Sequence, residues 1–349
     1  MKKVGIVTFQ YADNYGAVLQ CYALQKIINS FDDIEAEVIN LRPVDFQYSQ
    51  EWIYENEKIK WLRKRRQFEQ FLYQKCNLSE EVTSVINSSK YDYYCVGSDQ
   101  IWNPRWLNRE FLLPNVSDIS KKFAYAASIG CSLSYFLSKR QIYEKYLPMF
   151  DSISLREKEH VGIVSQISGK QCECVVDPTL LLNEKDYEKL IFDDICNEKY
   201  VLFYWLNHKQ EIYPAINLVN KIADKYKLRI KHTISTEDAK VYFKNSECVY
   251  YSNIEEFLCL IKNAQYVVTN SYHGTIFSIH FSTPFFTYIN KSMKSRFETL
   301  LLYTNIEDRM VNDSQIEINN NIDFNEIKTK WEINKQISVN YLRKSLGVI

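Results

Sequence analysis

Between Asn263 and Phe286 the chain sets His273 where proton transfer and anion binding could be combined. The apolar run Tyr266-Val267-Val268 reads as a buried parallel strand bounded by polar residues. The turn Thr269-Asn270-Ser271 follows, then Tyr272-His273-Gly274, then a helical spacing of Ile276, Phe277, Ile279, His280 and Phe281 that Pro284 ends. His273 thus stands where a strand's carboxyl end feeds a helix start, the place where open α/β sheets bind ligands. Backbone N–H groups there suit an anion, and imidazole puts a proton carrier beside them. An enzyme is the leading reading. His280, two helical turns on among Phe and Ile, reads as a core histidine, and His160, His208 and His232 have no partners at catalytic spacing. No His/Asp/Glu cluster suits a metal. Ser271 and His273 are too close for a hydrolase triad, and no G-x-S-x-G elbow appears.

Two loops in the first half also fall at strand ends. Asp13-Asn14-Tyr15-Gly16-Ala17 opens a helix, and Gly16 would let a ligand approach the backbone. The G-x-G-x-x-G spacing is missing, and an ordinary capping turn explains the segment equally well. Gly97-Ser98-Asp99-Gln100-Ile101-Trp102-Asn103-Pro104 packs a carboxylate, two amides and an indole together. Asp99 could orient or deprotonate a sugar hydroxyl, and Trp102 could stack on the ring. The alternative is a loop whose Asp and Asn satisfy their own backbone and whose Trp fills a gap; the density of sugar-friendly groups favours function.

Ser154-Leu155-Arg156-Glu157 has the capping-box pattern, so a helix is expected from Leu155. Arg156 in its first turn would oppose the macrodipole, which suggests a bound anion nearby. A surface pair with Glu157 or Glu159 is the simpler explanation. Lys291, Lys294 and Arg296 follow a further short strand and could hold a phosphate, although a solvated basic loop is at least as common. Lys58 to Lys75 interleaves bases with Trp61, Leu62, Phe68, Phe71 and Leu72. Such a helix can rest on an anionic membrane face; a domain helix with a solvated basic face is slightly favoured.

The elements that must position these residues alternate strand and helix almost throughout, the pattern of parallel α/β layers. Strands are expected at Lys3–Phe9, Glu37–Leu41, Tyr91–Val96, Phe123–Ala127, Asp151–Ser154 and Glu173–Val176, with helices at about Gly16–Ser30 and Glu51–Lys75. After Leu182 the pattern restarts: strands at Tyr200–Trp205 and Leu228–His232, helices at Ile212–Tyr226 and Ile254–Ile261, and a last helix over Asn325–Leu346. Two Rossmann-like domains follow, 1–182 and 183–349, with the last helix packing back on the first domain and a ligand cleft between the two.

The 349 residues suit two cores. Lys+Arg and Asp+Glu both total 43, and this balance argues against nucleic acid, whose phosphates need a basic excess. No window is apolar and long enough to span a membrane, and Val4–Phe9 is too short for a signal-peptide core. The nine cysteines are scattered, odd in number and mostly within apolar elements, which fits reduced thiols in the cytoplasm.

In order along the chain, TFQYADNYGAVLQCYAL, YDYYCVGSDQIWNP, FAYAASIG, SLREKEH, VVDPTLLL and TNSYHGTIFSIHFSTPF resemble the polysaccharide pyruvyl transferase family, from residue 4 to about residue 300. The resemblance implies a GT-B-like fold, phosphoenolpyruvate as co-substrate with no further cofactor or metal, and a glycan or lipid-linked sugar acceptor. That acceptor, destined for an exopolysaccharide or capsule, becomes a pyruvate ketal as phosphate leaves. His273 matches the family's histidine and would be the general acid, and Arg156 matches the arginine of its S-x-R-E motif and would bind the donor. Ser271, Gly274, Lys291, Lys294 and Arg296 would complete the donor site. Asn14, Tyr15, Gly16, Ser98, Asp99, Gln100 and Trp102 would face the acceptor, with Asp99 also catalytic. Family members often carry an arginine two residues before the histidine; here that position is Ser271. The competing functions are a GT-B-type glycosyltransferase using a nucleotide sugar and a catalytically inactive sugar-binding protein of the same fold.

Overall fold

The computed structural model describes residues 1–43, 58–86, 89–117, 120–191, 198–206, 212–234, 239, 241–243, 246–289, 294–311, 317–319 and 321–348. Lys291, His208 and the 51–57 part of the expected second helix lie outside the described residues. The chain forms two compact units: Met1–Glu55, Phe68–Leu182 and Glu332–Ile349 make the first, and Asn56–Gln67 with Asn183–Trp331 the second.

The first unit is built on a parallel sheet of β1 (Lys2–Val7), β2 (Ile34–Leu41), β3 (Leu78–Val82), β4 (Tyr93–Val96), β5 (Lys121–Ala127), β6 (Ser152–Leu155) and β7 (Glu173–Cys174). Their spatial order is β3-β2-β1-β4-β5-β6-β7. The order reverses at β1, which pairs with both β2 and β4, so the topological switch point lies between the loops after β1 and β4. The helices here are α1 (Tyr15–Ile28), α2 (Lys58–Lys75, which begins in the second unit), the short α3 (Leu133–Leu137) and α4 (Gln141–Tyr146), and α5 (Lys158–Ser168). Central strands such as β4, YYCV, are buried at every position, which is why they read as unbroken apolar runs. Edge strand β3, LSEEV, is half-exposed and has no such run, so periodicity does not find it.

The second unit repeats the plan with β8 (Tyr200–Tyr204), β9 (Arg229–His232), β10 (Ser246–Cys248), β11 (Tyr266–Thr269), β12 (Phe285–Tyr288) and β13 (Met310–Val311), ordered β10-β9-β8-β11-β12-β13 and parallel. Its helices are α6 (Glu184–Glu188), α7 (Ile212–Tyr226), α8 (Ile254–Asn263), α9 (Tyr272–His280) and α10 (Lys294–Thr304). The final helix, α11 (Phe324–Leu346), passes to the first unit at Glu332. There the Tyr341 hydroxyl donates to the Ala124 carbonyl (2.9 Å), and Ser338 accepts from the Val176 amide (3.0 Å).

The capping-box expectation at Ser154 is wrong. Ser154 and Leu155 are the last residues of β6, and α5 starts at Lys158 with Glu157 as its N-cap. Ser154 cannot cap because its hydroxyl serves β5, donating to the Ala124 carbonyl (3.0 Å) and accepting from the Ala126 amide (3.1 Å). Arg156 therefore sits at a strand's carboxyl end, ahead of the helix.

Burial also governs the thiols. It pushes the Cys131 thiol up to about 11, and raises Cys95 and Cys172 as well. All three should stay protonated and resist iodoacetamide in the native protein, then react on denaturation. Mass spectrometry after brief labelling checks this; rapid native alkylation of Cys95 would contradict its burial.

Candidate functional site

At the second unit's switch point, between β8 and β11, Asn270 ties the two strand ends together. Its Oδ1 accepts from the Leu206 amide and its Nδ2 donates to the Leu206 carbonyl, both at 2.7 Å. Ser271 then caps α9: its backbone is extended (φ −92°, ψ 129°) and its Oγ accepts from the Gly274 amide at 3.2 Å. His273 lies in the first turn, buried, edge-on to Tyr272 with ring centroids 5.4 Å apart. Tyr272 in turn meets Phe297 of α10 at 5.7 Å. Local sequence marks this junction, with an apolar strand, a serine cap and a positive helix end beside a titratable ring, and the distant Leu206 and Phe297 hold it in place.

Gly274 is required by packing. A Cβ there would lie 2.8 Å from both Thr269 Oγ1 and Tyr204 Cδ1. Gly274→Ala should cost about 1–3 kcal/mol through this overpacking. Urea unfolding with an unchanged m-value checks it; an unchanged midpoint would show that the strand ends relax.

Tyr204, at the end of β8, was not legible as a site residue. Burial raises its ionisation well above the ordinary phenol range, a hydrogen bond with Ser271 offsets part of that, and nearby Tyr250 raises it further. Its hydroxyl stays neutral beside the cap of the His273 helix. Lys294 opens α10 as a largely solvated side chain paired with Glu298 at 3.2 Å, whereas Arg296 is buried. The basic-loop expectation therefore divides: Lys294 faces solvent and Arg296 does not. His280 is a core histidine, packed against Tyr187 (4.9 Å) and Trp331 (4.6 Å).

In the first unit, the carboxyl ends of β4, β5, β6 and β7 converge on Arg156. The guanidinium is only 1% exposed. Nη1 pairs with Asp177 at 2.6 Å, Nε approaches Glu157 at 3.8 Å, and Nη2 approaches Asp99 at 4.0 Å. Asp177 also accepts from Ser98 Oγ (3.3 Å) and, through its other oxygen, from the Thr179 amide (2.9 Å) and hydroxyl (2.7 Å). Glu157 accepts from the Ser128 hydroxyl and from the Ile129 amide. The macrodipole reading of Arg156 does not survive, and of the surface-pair reading only the partner Glu157 holds: the pair is buried, and carboxylates from two other strand ends, Asp99 and Asp177, join it. Asp177 as a partner of Arg156, and Ser128 as a partner of Glu157, are not legible in the sequence, because they lie 21 and 29 residues away and meet these groups only through strand order.

Several acceptor-side expectations change. Trp102 is 0% exposed, donates its indole N–H to the Phe111 carbonyl and meets Phe150 edge-on at 5.6 Å. It fills the core and cannot stack on a sugar in this conformation. Tyr15 is likewise buried, against Phe68 at 5.1 Å. Asn14 is the N-cap of α1, its Oδ1 taking the Gly16 and Ala17 amides, so the capping-turn alternative holds there. Ser98 is buried and donates to the Ala126 carbonyl. Asp99 and Gln100 keep partial exposure. Asp99 has φ +72°, an uncommon conformation for a non-glycine residue, and its carboxylate accepts from the Gln100 amide at 2.8 Å. Among the described residues, no group of three His, Cys, Asp or Glu is placed to hold a metal ion.

Two Rossmann-like units, each with its polar residues gathered at the strand ends beside a helix start, define a GT-B-like α/β protein. Solved structures share this fold: the S. aureus MnaA–UDP co-structure aligns with a TM-score of 0.58 at 12% identity, covering 100% of this chain and 98% of that one. UDP-GlcNAc 2-epimerase from Neisseria meningitidis bound to UDP-GlcNAc aligns at 0.54 with 10% identity, covering 100% of each chain. No curated protein sequence matches significantly. Residues 14–292 match the family model "Polysaccharide pyruvyl transferase", and the chain belongs to that family.

Proposed function

We propose that the protein transfers the pyruvyl group of phosphoenolpyruvate to two hydroxyls of a sugar, in a surface polysaccharide or its lipid-linked precursor. The product is a ketal and inorganic phosphate. The observation that carries this reading is His273, a buried imidazole in the first turn of a helix at the second unit's switch point. Family membership supports a pyruvate donor and a sugar acceptor.

The chemistry assigns roles to the residues. His273 protonates the methylene carbon of the enol, so that positive character develops at the neighbouring carbon and a sugar hydroxyl adds there. The C–O bond to phosphate breaks, and the second hydroxyl closes the ketal. Of the two hydroxyl protons, one restores His273 and the other leaves with phosphate. The donor's anionic groups bind at the start of α9, where the helix dipole favours negative charge. Asp99 orients the attacking acceptor hydroxyl by accepting its hydrogen bond, and Arg156 holds Asp99 and its neighbours in place rather than touching the donor.

Incubation with phosphoenolpyruvate and candidate sugar acceptors should release phosphate and yield a product heavier by a pyruvate ketal. Turnover of a nucleotide sugar with none from phosphoenolpyruvate would replace this reading with a glycosyltransferase.

A further inference from the structure

Helix α2 buries one face and leaves an unusual composition on the other. Trp61, Lys64, Phe68, Phe71 and Leu72 point inward and are all buried. Lys64 donates to the Tyr250 carbonyl at 2.8 Å and lies 4.5 Å from that ring's centroid, while Phe71 meets Tyr22 at 5.8 Å. The buried inner face anchors the helix, and on its flanks Lys60 lies 5.8 Å from the Tyr251 ring centroid. Opposite it, Ile59, Leu62, Arg63, Arg66, Gln70 and Tyr73 fall within an arc of about 100°. Ile59 is 81% exposed, Tyr73 62% and Leu62 40%. Arg63 and Arg66 are exposed between them, with Lys58 and Lys60 exposed on either flank. The helix's sole acidic residue, Glu69, lies off this stripe and pairs with Arg42 at 3.8 Å.

A helix face that only needed solvation would carry polar side chains at positions 59, 62 and 73. A nucleic acid or acidic peptide would use the bases but leave Ile59 and Leu62 without a role. Apolar side chains that can enter an acyl boundary, set among bases that can pair with headgroup phosphates, match an anionic bilayer surface. We propose that α2 is a membrane-surface helix that lays Ile59, Leu62 and Tyr73 into the interface of an anionic membrane while Lys58, Lys60, Arg63 and Arg66 engage its headgroups. This docking is independent of the transfer reaction. No helix among the described residues is long and apolar enough to cross a membrane, so the association is peripheral for this part of the chain.

Flotation of the full chain with vesicles of phosphatidylcholine, alone or mixed with phosphatidylglycerol, tests this. Binding should require phosphatidylglycerol and weaken with added salt. Arg63→Ala with Arg66→Ala should weaken it about thirtyfold, each base being worth about 1 kcal/mol at such a surface. Ile59→Ser with Leu62→Ser should weaken it as well. All four positions are solvent-facing, so unchanged thermal unfolding separates a docking loss from a folding defect. Equal binding to both vesicle types, or none by the wild type, would overturn the proposal. So would binding to duplex DNA that survives Ile59→Ser/Leu62→Ser, which would assign the face to polyanions.

Discussion

His273→Asn should lower ketal formation from phosphoenolpyruvate by about 10²–10⁴-fold, the usual worth of a positioned general acid, with thermal unfolding nearly unchanged. The amide fits the imidazole's place at the start of α9 and can still donate a hydrogen bond, but it cannot deliver a proton to carbon. The cap is retained, because Ser271 and Gly274 make it without His273. Coupled detection of phosphate under saturating donor and acceptor reads the loss in kcat. Full turnover by a well-folded His273→Asn protein would remove His273 from the chemistry, and a change confined to KM would recast it as a donor-binding group.

The second large effect concerns Arg156. Arg156→Met removes the cation that Asp177 meets at 2.6 Å and that Glu157 and Asp99 approach, leaving buried carboxylates unanswered. Breaking a buried pair from one side costs about 3–5 kcal/mol, so the midpoint of chemical unfolding should fall sharply. Adding Asp177→Asn should recover part of the loss, since the amide keeps an acceptor for Thr179 while dropping the charge. The donor-ligand role implied by the family motif makes the opposite forecast: stability held, with a large rise in KM for phosphoenolpyruvate. Denaturation and steady-state kinetics on the same variant decide between them.

These two residues show where a linear reading works. The His273 junction is legible because the signals that mark it are local: an apolar strand, a serine at the cap and a proline past the helix end; the Asn270 tie to Leu206 and the close approach of Gly274 to Tyr204 are not. The helix after β6 is misjudged for the converse reason. Ser154 has the spacing of a cap, yet a neighbouring strand claims its hydroxyl, and no local pattern records that competition. Trp102 has the composition of a sugar platform, but its indole N–H is aimed at Phe111 by the way the loop folds over the core. Tyr204 lies in an apolar run that identifies only a strand; its place beside Ser271 depends on β8 and β11 being neighbours.

The sequence by itself determined the parallel α/β plan, the family, and a histidine at a helix start, because hydrophobic period, caps and motif order are short-range properties of the chain. Only the tertiary structure decided which charges meet. Arg156 has its partners because β4, β6 and β7 end on the same side of one sheet, bringing residues 99, 156, 157 and 177 within a few ångströms. A buried cation takes the carboxylates that strand order delivers, and strand order is a property of the folded sheet.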